Sequence, residues 1–183
     1  MKTIEELVAQ VAKNMGADEN GKKPSAPKTV KTENKPVPNS MLGKAVPTYD
    51  GKMTLDIAKK AAEAATLAAE KLGVKIVVAI CDEGANLVLL NAMDDSYIAS
   101  IKAAQDKAYT AVALKMPTHV ALRESRGGAL DGLTNGNGIL LLGGGFPLES
   151  GTKIYGGIGV SGGTKEQDVL IAAVAKEALR MLL

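Results

Sequence analysis

Apolar positions along the chain fall into two rhythms, one helical and one extended. Ile4, Leu7, Val8, Val11, Ala12 and Met15 form a stripe at helical spacing over residues 3 to 16. Thr3 and Glu6 match a capping box at its start, and Gly16 suits its end. Thr54 to Leu72 is a second helical pattern, rich in Ala, with Thr54 as cap, Asp56 at the positive end and Gly73 as stop. Ile76 to Cys81 is a β-branched and apolar run that predicts a buried strand. Asp82 to Ala85 is a turn, and Asn86 to Asn91 predicts the returning strand of a hairpin. A third helix is expected over Ser96 to Lys115, ended by Pro117. Thr118 is placed to cap a short helix to Ser125.

Residues 127 to 163 then hold most of the chain's 20 glycines. The glycines punctuate three apolar runs, Ile139 to Leu142, Phe146 to Leu148 and Ile154 to Val160, which read as strands. A last helix is expected from Lys165 to Leu182, with Thr164 and Gln167 as a capping box and Val169, Leu170, Ala173, Val174 and Met181 as its buried stripe. Five short strands and three main helices, joined by hairpin-like connections, predict an α+β domain with one mainly antiparallel sheet.

The pattern also divides the chain. Residues 1–16 are the amphipathic helix, 17–52 a Pro- and Lys-containing polar linker, and 53–183 the globular part. A helix of that length is marginal alone in water, so its stripe needs a surface. Two seats are open to it: its own domain or a sister subunit, or another protein by a helix-in-groove mode through Ile4, Leu7, Val8, Val11 and Met15. A short amphipathic helix on a polar, Pro-containing linker resembles the encapsulation peptides that bring cargo enzymes into bacterial microcompartments. That resemblance implies shell or cargo proteins as partners.

Composition narrows the classes. Apolar residues make up 46% but aromatics only 3%, so the core is built from small aliphatic side chains, with no stacking surface for bases. Residues 1 to 50 carry eight lysines against six acids, which leaves fourteen of each sign for the rest. No basic face is implied, and nucleic-acid binding is not expected. One Cys excludes an internal disulfide framework and fits a reducing compartment. No apolar run is long enough to span a membrane. Glu5 and Glu6 interrupt any secretory signal, so a cytoplasmic location is expected.

Candidate chemistry is sparse. Gly157 to Gly162 spells GxGxxG, but a dinucleotide fingerprint needs a βαβ unit, and here the first two glycines lie within a strand near the end of the chain. They are better read as letting a helix press on the sheet. Ser161, Gly162, Gly163 and Thr164 open the last helix, where free N–H groups favour an anion such as a propionate. Self-capping by Thr164 is the plainer reading. His119 is the sole histidine, so it cannot join a multi-histidine metal site, although one imidazole suffices as an axial haem ligand. A bystander histidine is the commoner case. Cys81 reads as an inert core thiol. Lys107 shares a helix face with Ala103, Ala104 and Ala111, so it is drawn toward the sheet and needs a carboxylate; Asp82 and Asp168 are the candidates.

Several stretches in order carry a family likeness: Cys81 to Val88, Met93 to Asp95, Lys107-Ala108 with Thr110-Ala111, Pro117-Thr118, Gly143 to Leu148, and Ile158 to Gly162 with Glu166 to Asp168. Together they resemble the GlcG/HbpS family, which includes the C-terminal domain of PduO. The resemblance spans about residues 53 to 183. It implies a profilin-like, three-layer α/β/α fold with a five-stranded sheet, and assembly into homo-oligomers. It implies haem as a cofactor, since some members bind haem; the ligand differs among members, so His119, Lys107 and the 161–164 loop stand as this chain's candidate contacts, with another Lys, a Met, a Tyr or a hydroxyl as alternative ligands. PduO-type members occur with diol-degrading microcompartments, in keeping with the tail. Residues 1 to 50 are far too short for an adenosyltransferase domain, so corrinoid adenosylation is not inherited. The expectation is a non-catalytic haem- or small-ligand-binding accessory protein, carried as microcompartment cargo. The alternatives are an enzyme on a small hydroxy acid, aldehyde or tetrapyrrole, using Lys107 and nearby acids, and an oligomeric scaffold of the microcompartment lumen.

Overall fold

A computed structural model describes residues 3–16 and 51–181. The linker expected over 17–52 lies outside the described residues except for its last two positions. The elements are α1 (Ile4–Gly16), α2 (Leu55–Lys71), β1 (Val77–Asp82), β2 (Leu87–Ala92), α3 (Ile98–Ala113), α4 (Thr118–Glu124), β3 (Gly145–Ser150), β4 (Lys153–Ser161) and α5 (Lys165–Arg180). The strands form one sheet in the order β2-β1-β4-β3, and each neighbouring pair is antiparallel.

The sheet has two unlike faces because side chains alternate along a strand. Ile76, Val78, Ile80, Leu148, Ile158 and Val160 point to the side covered by α2 and α5. Val77, Ala79 and Cys81 point to the other, where Ala104, Ala108 and Val112 of α3 meet them. Three layers result. The α3 contact is close because β4 offers no side chains there. A Cβ on Gly157 would stand 2.8 Å from the Ala108 carbonyl oxygen, and one on Gly159 would overlap the Ala104 carbonyl. Glycine in this strand therefore serves backbone approach, as the sequence implied, and Gly162 (φ +148) ends it against Lys75.

Local chemistry fixes the element ends. Thr54 accepts from the Ile57 N–H at 3.3 Å, and Thr164 and Gln167 complete their capping box. Asp82 closes the β1–β2 turn by accepting from the N–H groups of Gly84 and Asn86 at 2.9 and 2.8 Å. Ala85 takes a left-handed φ of 62° there.

Three expectations are corrected. Met181, expected in the buried stripe of the last helix, is 41% exposed and follows the end of α5. The described residues contain four strands, not five. Residues 139–142 join no ladder beyond a single bridge between Gly136 and Ile139. Their backbone is tied elsewhere: the Leu140 N–H donates to Thr110 Oγ1 at 2.8 Å and the Leu141 N–H to Asn135 Oδ1 at 2.7 Å. These polar side chains satisfy the groups that a strand would have paired. Thr118 is not the cap of α4 either; Pro117 holds that position. The Thr118 hydroxyl instead donates to the Leu142 carbonyl at 2.7 Å and accepts from the Gly145 N–H at 2.9 Å, leading the chain into β3.

Of the two seats open to the N-terminal helix, the described residues show the intramolecular one. α1 lies on α2 and α5, with Leu7 and Val11 buried and Ile4 and Val8 partly so. Glu5 pairs with Lys71 at 2.7 Å, and Thr3 and Glu6 make the expected capping box. The Met15 side chain lies outside the described residues.

Candidate functional site

The most enclosed charged group among the described residues is Lys107, whose side chain has no exposed surface. Its ammonium donates to Asp168 Oδ2 at 2.7 Å and to the Val160 carbonyl at 2.8 Å. Asp168 is the partner, of the two candidates; Asp82 is spent on its own turn. Asp168 in turn accepts from the Gly163 N–H at 2.9 Å. Burial pushes the Asp168 carboxyl above the usual carboxylate range, opposed by Lys107 and by the Gly162 and Gly163 N–H groups. Burial likewise pushes Lys107 below the usual ammonium range, opposed by Asp168. The pair thus joins α3, β4 and α5 at one point.

This bears on the loop at 161–164. Its donors are engaged within the chain: Gly163 on Asp168, and Thr164 N–H on Gln167 Oε1 at 2.8 Å. Self-capping is what the geometry shows. An anion at these N–H groups would have to displace a carboxylate or an amide oxygen. The loop borders a cleft of about 390 Å³ with Tyr97, Leu142 and Lys165.

His119 stands elsewhere. It is the second residue of α4, and its ring packs on Phe146 with centroids 5.5 Å apart at 49°. Around it lies a cleft of about 540 Å³ whose walls are Leu122, Arg123, Arg126, Lys165, Glu166 and Val169. One wall is α4 and the turn after it: His119, Leu122 and Arg123 share a helix face, and Arg126 lies two residues past the helix end. The other is the first turn of α5. Beside the Glu166 carboxylate, the cleft combines one imidazole, two apolar side chains and three cations, of which Arg123 is paired with Glu124 at 3.1 Å. An apolar macrocycle with an iron and two carboxylates calls for those same three features.

The predicted residues are therefore not one constellation. His119 borders the larger cleft, and Ser161, Gly162 and Gly163 the smaller, with Lys165 common to both. Lys107 lines neither, because its ammonium is closed in by Asp168 and Val160. Arg123, Arg126 and Lys165 were missed. The i, i+3, i+4 relation of His119, Leu122 and Arg123 is the local signal for Arg123, whereas Arg126 lies in the turn after α4. Cys81 is buried with its thiol pushed up to about 11 by burial, in keeping with an inert core position.

With the fold and clefts in place, the comparisons are consistent. The family described as "Haem degrading protein HbpS-like" matches residues 53–177, and the chain belongs to it. A 15.0 kDa protein of the dhaT-dhaS intergenic region of Citrobacter freundii is 39% identical over 133 residues, 71% of this chain and 94% of that one. The corrinoid adenosyltransferase PduO of C. freundii is 36% identical over 121 residues, 64% of this chain but only 36% of PduO. Among solved structures, the PduOC:heme complex matches with a TM-score of 0.65 and 34% identity, covering 69% of this chain and 94% of that one. No helix among the described residues is long and apolar enough to cross a membrane.

The buried pair makes a test of the framework. Asp168→Asn leaves the Lys107 charge enclosed without a counter-charge and should cost about 3–5 kcal/mol. The Lys107→Met/Asp168→Leu double variant, with no buried charge left, should lose much less. Urea denaturation measures both. A single variant within about 1 kcal/mol of the parent would remove the pair from its central place.

Proposed function

We propose that the protein is a haem-binding accessory protein that works as a homo-oligomer, with residues 53–183 as the ligand-binding domain. The observation that carries this reading is the cleft at α4 and α5, which sets the sole imidazole beside Leu122, Val169 and three cations, with Glu166 at its border. Membership of the HbpS-like family and the likeness to PduOC, whose complex with heme has been solved, support it. In this reading His119 holds the iron, Leu122 and Val169 contact the macrocycle, and Arg123, Arg126 and Lys165 take the propionates. The bound group would supply redox and ligand chemistry at its iron. The chain supplies an oriented imidazole, held against Phe146, and cations that neutralise the acids. Corrinoid adenosylation is not part of the proposal, since the match spans about a third of PduO.

Hemin titration of tag-free protein should give a saturable Soret shift that His119→Ala abolishes. The Arg123→Ala/Arg126→Ala variant should bind at least about tenfold more weakly, because charge-assisted hydrogen bonds contribute roughly 1.5–3 kcal/mol each. An undiminished shift in His119→Ala contradicts the assignment of the ligand. No shift at stoichiometric hemin contradicts haem binding itself.

The tail carries the second half of the proposal, that the protein is cargo of a bacterial microcompartment. Its support is the pattern of a capped amphipathic helix on a Pro-containing polar segment. The docked position of α1 adds a condition. Leu7 and Val11 are buried on the domain, and burial of each is worth roughly 1.5–3 kcal/mol. A shell partner must therefore outbid that seat. A fluorescent fusion lacking residues 1–16 should lose co-localisation with shell proteins. Unchanged co-localisation would sink the cargo reading.

A further inference from the structure

The two edges of the sheet are protected to different degrees. β3, at one edge, carries Pro147, which has no N–H to offer a further strand. β2, at the other, reads LVLLNA, with neither proline nor charge. Its hydrogen-bond phase follows from its neighbours. The Met93 N–H donates to the Ile76 carbonyl at 3.0 Å, and Val78 faces Asn91 and Ile80 faces Leu89. Bonded and non-bonded pairs alternate in an antiparallel ladder. Leu89 and Asn91 therefore turn their backbone groups to β1, and Leu90 and Ala92 turn theirs outward. Among the described residues no other element meets those outward groups. The side chains there are also apolar and uncovered: Leu87 is 51% exposed, Leu90 39%, and Leu67 on the adjoining α2 40%. A chain seldom leaves such an edge open, because it templates a further strand.

We infer that β2 is the seat of a second copy of this chain, paired antiparallel about a two-fold axis at Leu90. This rests on the homo-oligomer reading above and specifies its interface. Three observations select this partner and register. Outward residues must face outward residues, and Leu90 opposite Leu90 satisfies that while overlapping nearly the whole strand. Leu87 then meets Met93, which covers an exposed leucine, and Asp94 meets Asn86, so no carboxylate faces its own copy. Finally, α2 is self-complementary. It is held over β2 by Asn91 Nδ2 donating to Thr66 Oγ1 at 3.3 Å. Its Lys59 and Glu63 both line the groove of about 420 Å³ between α2 and β2. A two-fold axis runs the two α2 helices antiparallel, so the lysine of one copy approaches the glutamate of the other. The joined sheet has eight strands and no open β2 edge.

Light scattering on the full chain tests this. The parent should have an even multiple of the chain mass. Leu90→Lys and Leu90→Glu should each halve it by placing like charges across the axis, and mixing the two should restore it. Hydrogen exchange on the parent gives a reading that needs no variant: the Leu90 and Ala92 amides should be protected. A monomeric parent overturns both this interface and the oligomer reading. An oligomeric parent whose mass Leu90→Lys leaves intact, a mixture that stays at half mass, or rapidly exchanging Leu90 and Ala92 amides overturns this interface alone.

Discussion

The arrangement depends on enclosing one lysine. Lys107 sits on the sheet-facing side of α3 with no exposed surface, and an ammonium in that place must be matched. Asp168 supplies the charge and Val160 a carbonyl, so α3, β4 and α5 are fixed with respect to one another. The glycines then follow as a steric consequence. A Cβ at Gly144 would stand 3.1 Å from the Lys107 ammonium, and one at Gly145 would stand 2.5 Å from the Lys107 carbonyl oxygen. With Gly157 and Gly159 on β4, these positions let α3 sink onto the sheet while carrying a long cationic side chain inward.

That framework places the functional surfaces. Because Asp168 is held by Lys107 and by the Gly163 N–H, the first turn of α5 is anchored, and Lys165, Glu166 and Val169 are presented to the cleft. Thr118 does the same for α4. Its hydroxyl bridges Leu142 and Gly145, so the residue beside it, His119, is carried on a fixed helix start against Phe146. The groups proposed to hold haem thus stand on two helix starts tied to the body of the domain, α5 through Asp168 and α4 through Thr118. That is how a site is made rigid without belonging to the core.

What could be read from the chain was what depends on near neighbours. The capping boxes at Thr3 and Thr164, the Thr54 cap, the turn at Asp82 and the α+β class all rest on spacings of a few residues. Lys107 was recognised as a buried cation needing an acid because its Ala-rich face is a local pattern. Choosing Asp168 over Asp82 needed the tertiary structure. Two of the misreadings share one cause. Ile139 to Leu142 has strand composition, yet its backbone is claimed by Thr110 and Asn135. Thr118 has cap chemistry, yet its hydroxyl is claimed by Leu142 and Gly145. In the first case side chains, and in the second backbone groups distant in sequence, took the bond that local propensity assigned elsewhere. The cationic wall of the cleft was partly legible, through the helical spacing of His119 with Arg123. Another part, Lys165 and Val169, comes from a helix more than forty positions away.

The chain has a single histidine, and that makes the central claim unusually direct to test. Tag-free protein is grown with ¹⁵N-histidine, loaded with hemin and measured by hyperfine spectroscopy of the ferric iron, beside an unlabelled sample. The account predicts a ¹⁵N coupling from His119 at the iron that is absent from the unlabelled sample. Identical spectra from the two samples would mean that iron is held by another group, and would contradict it.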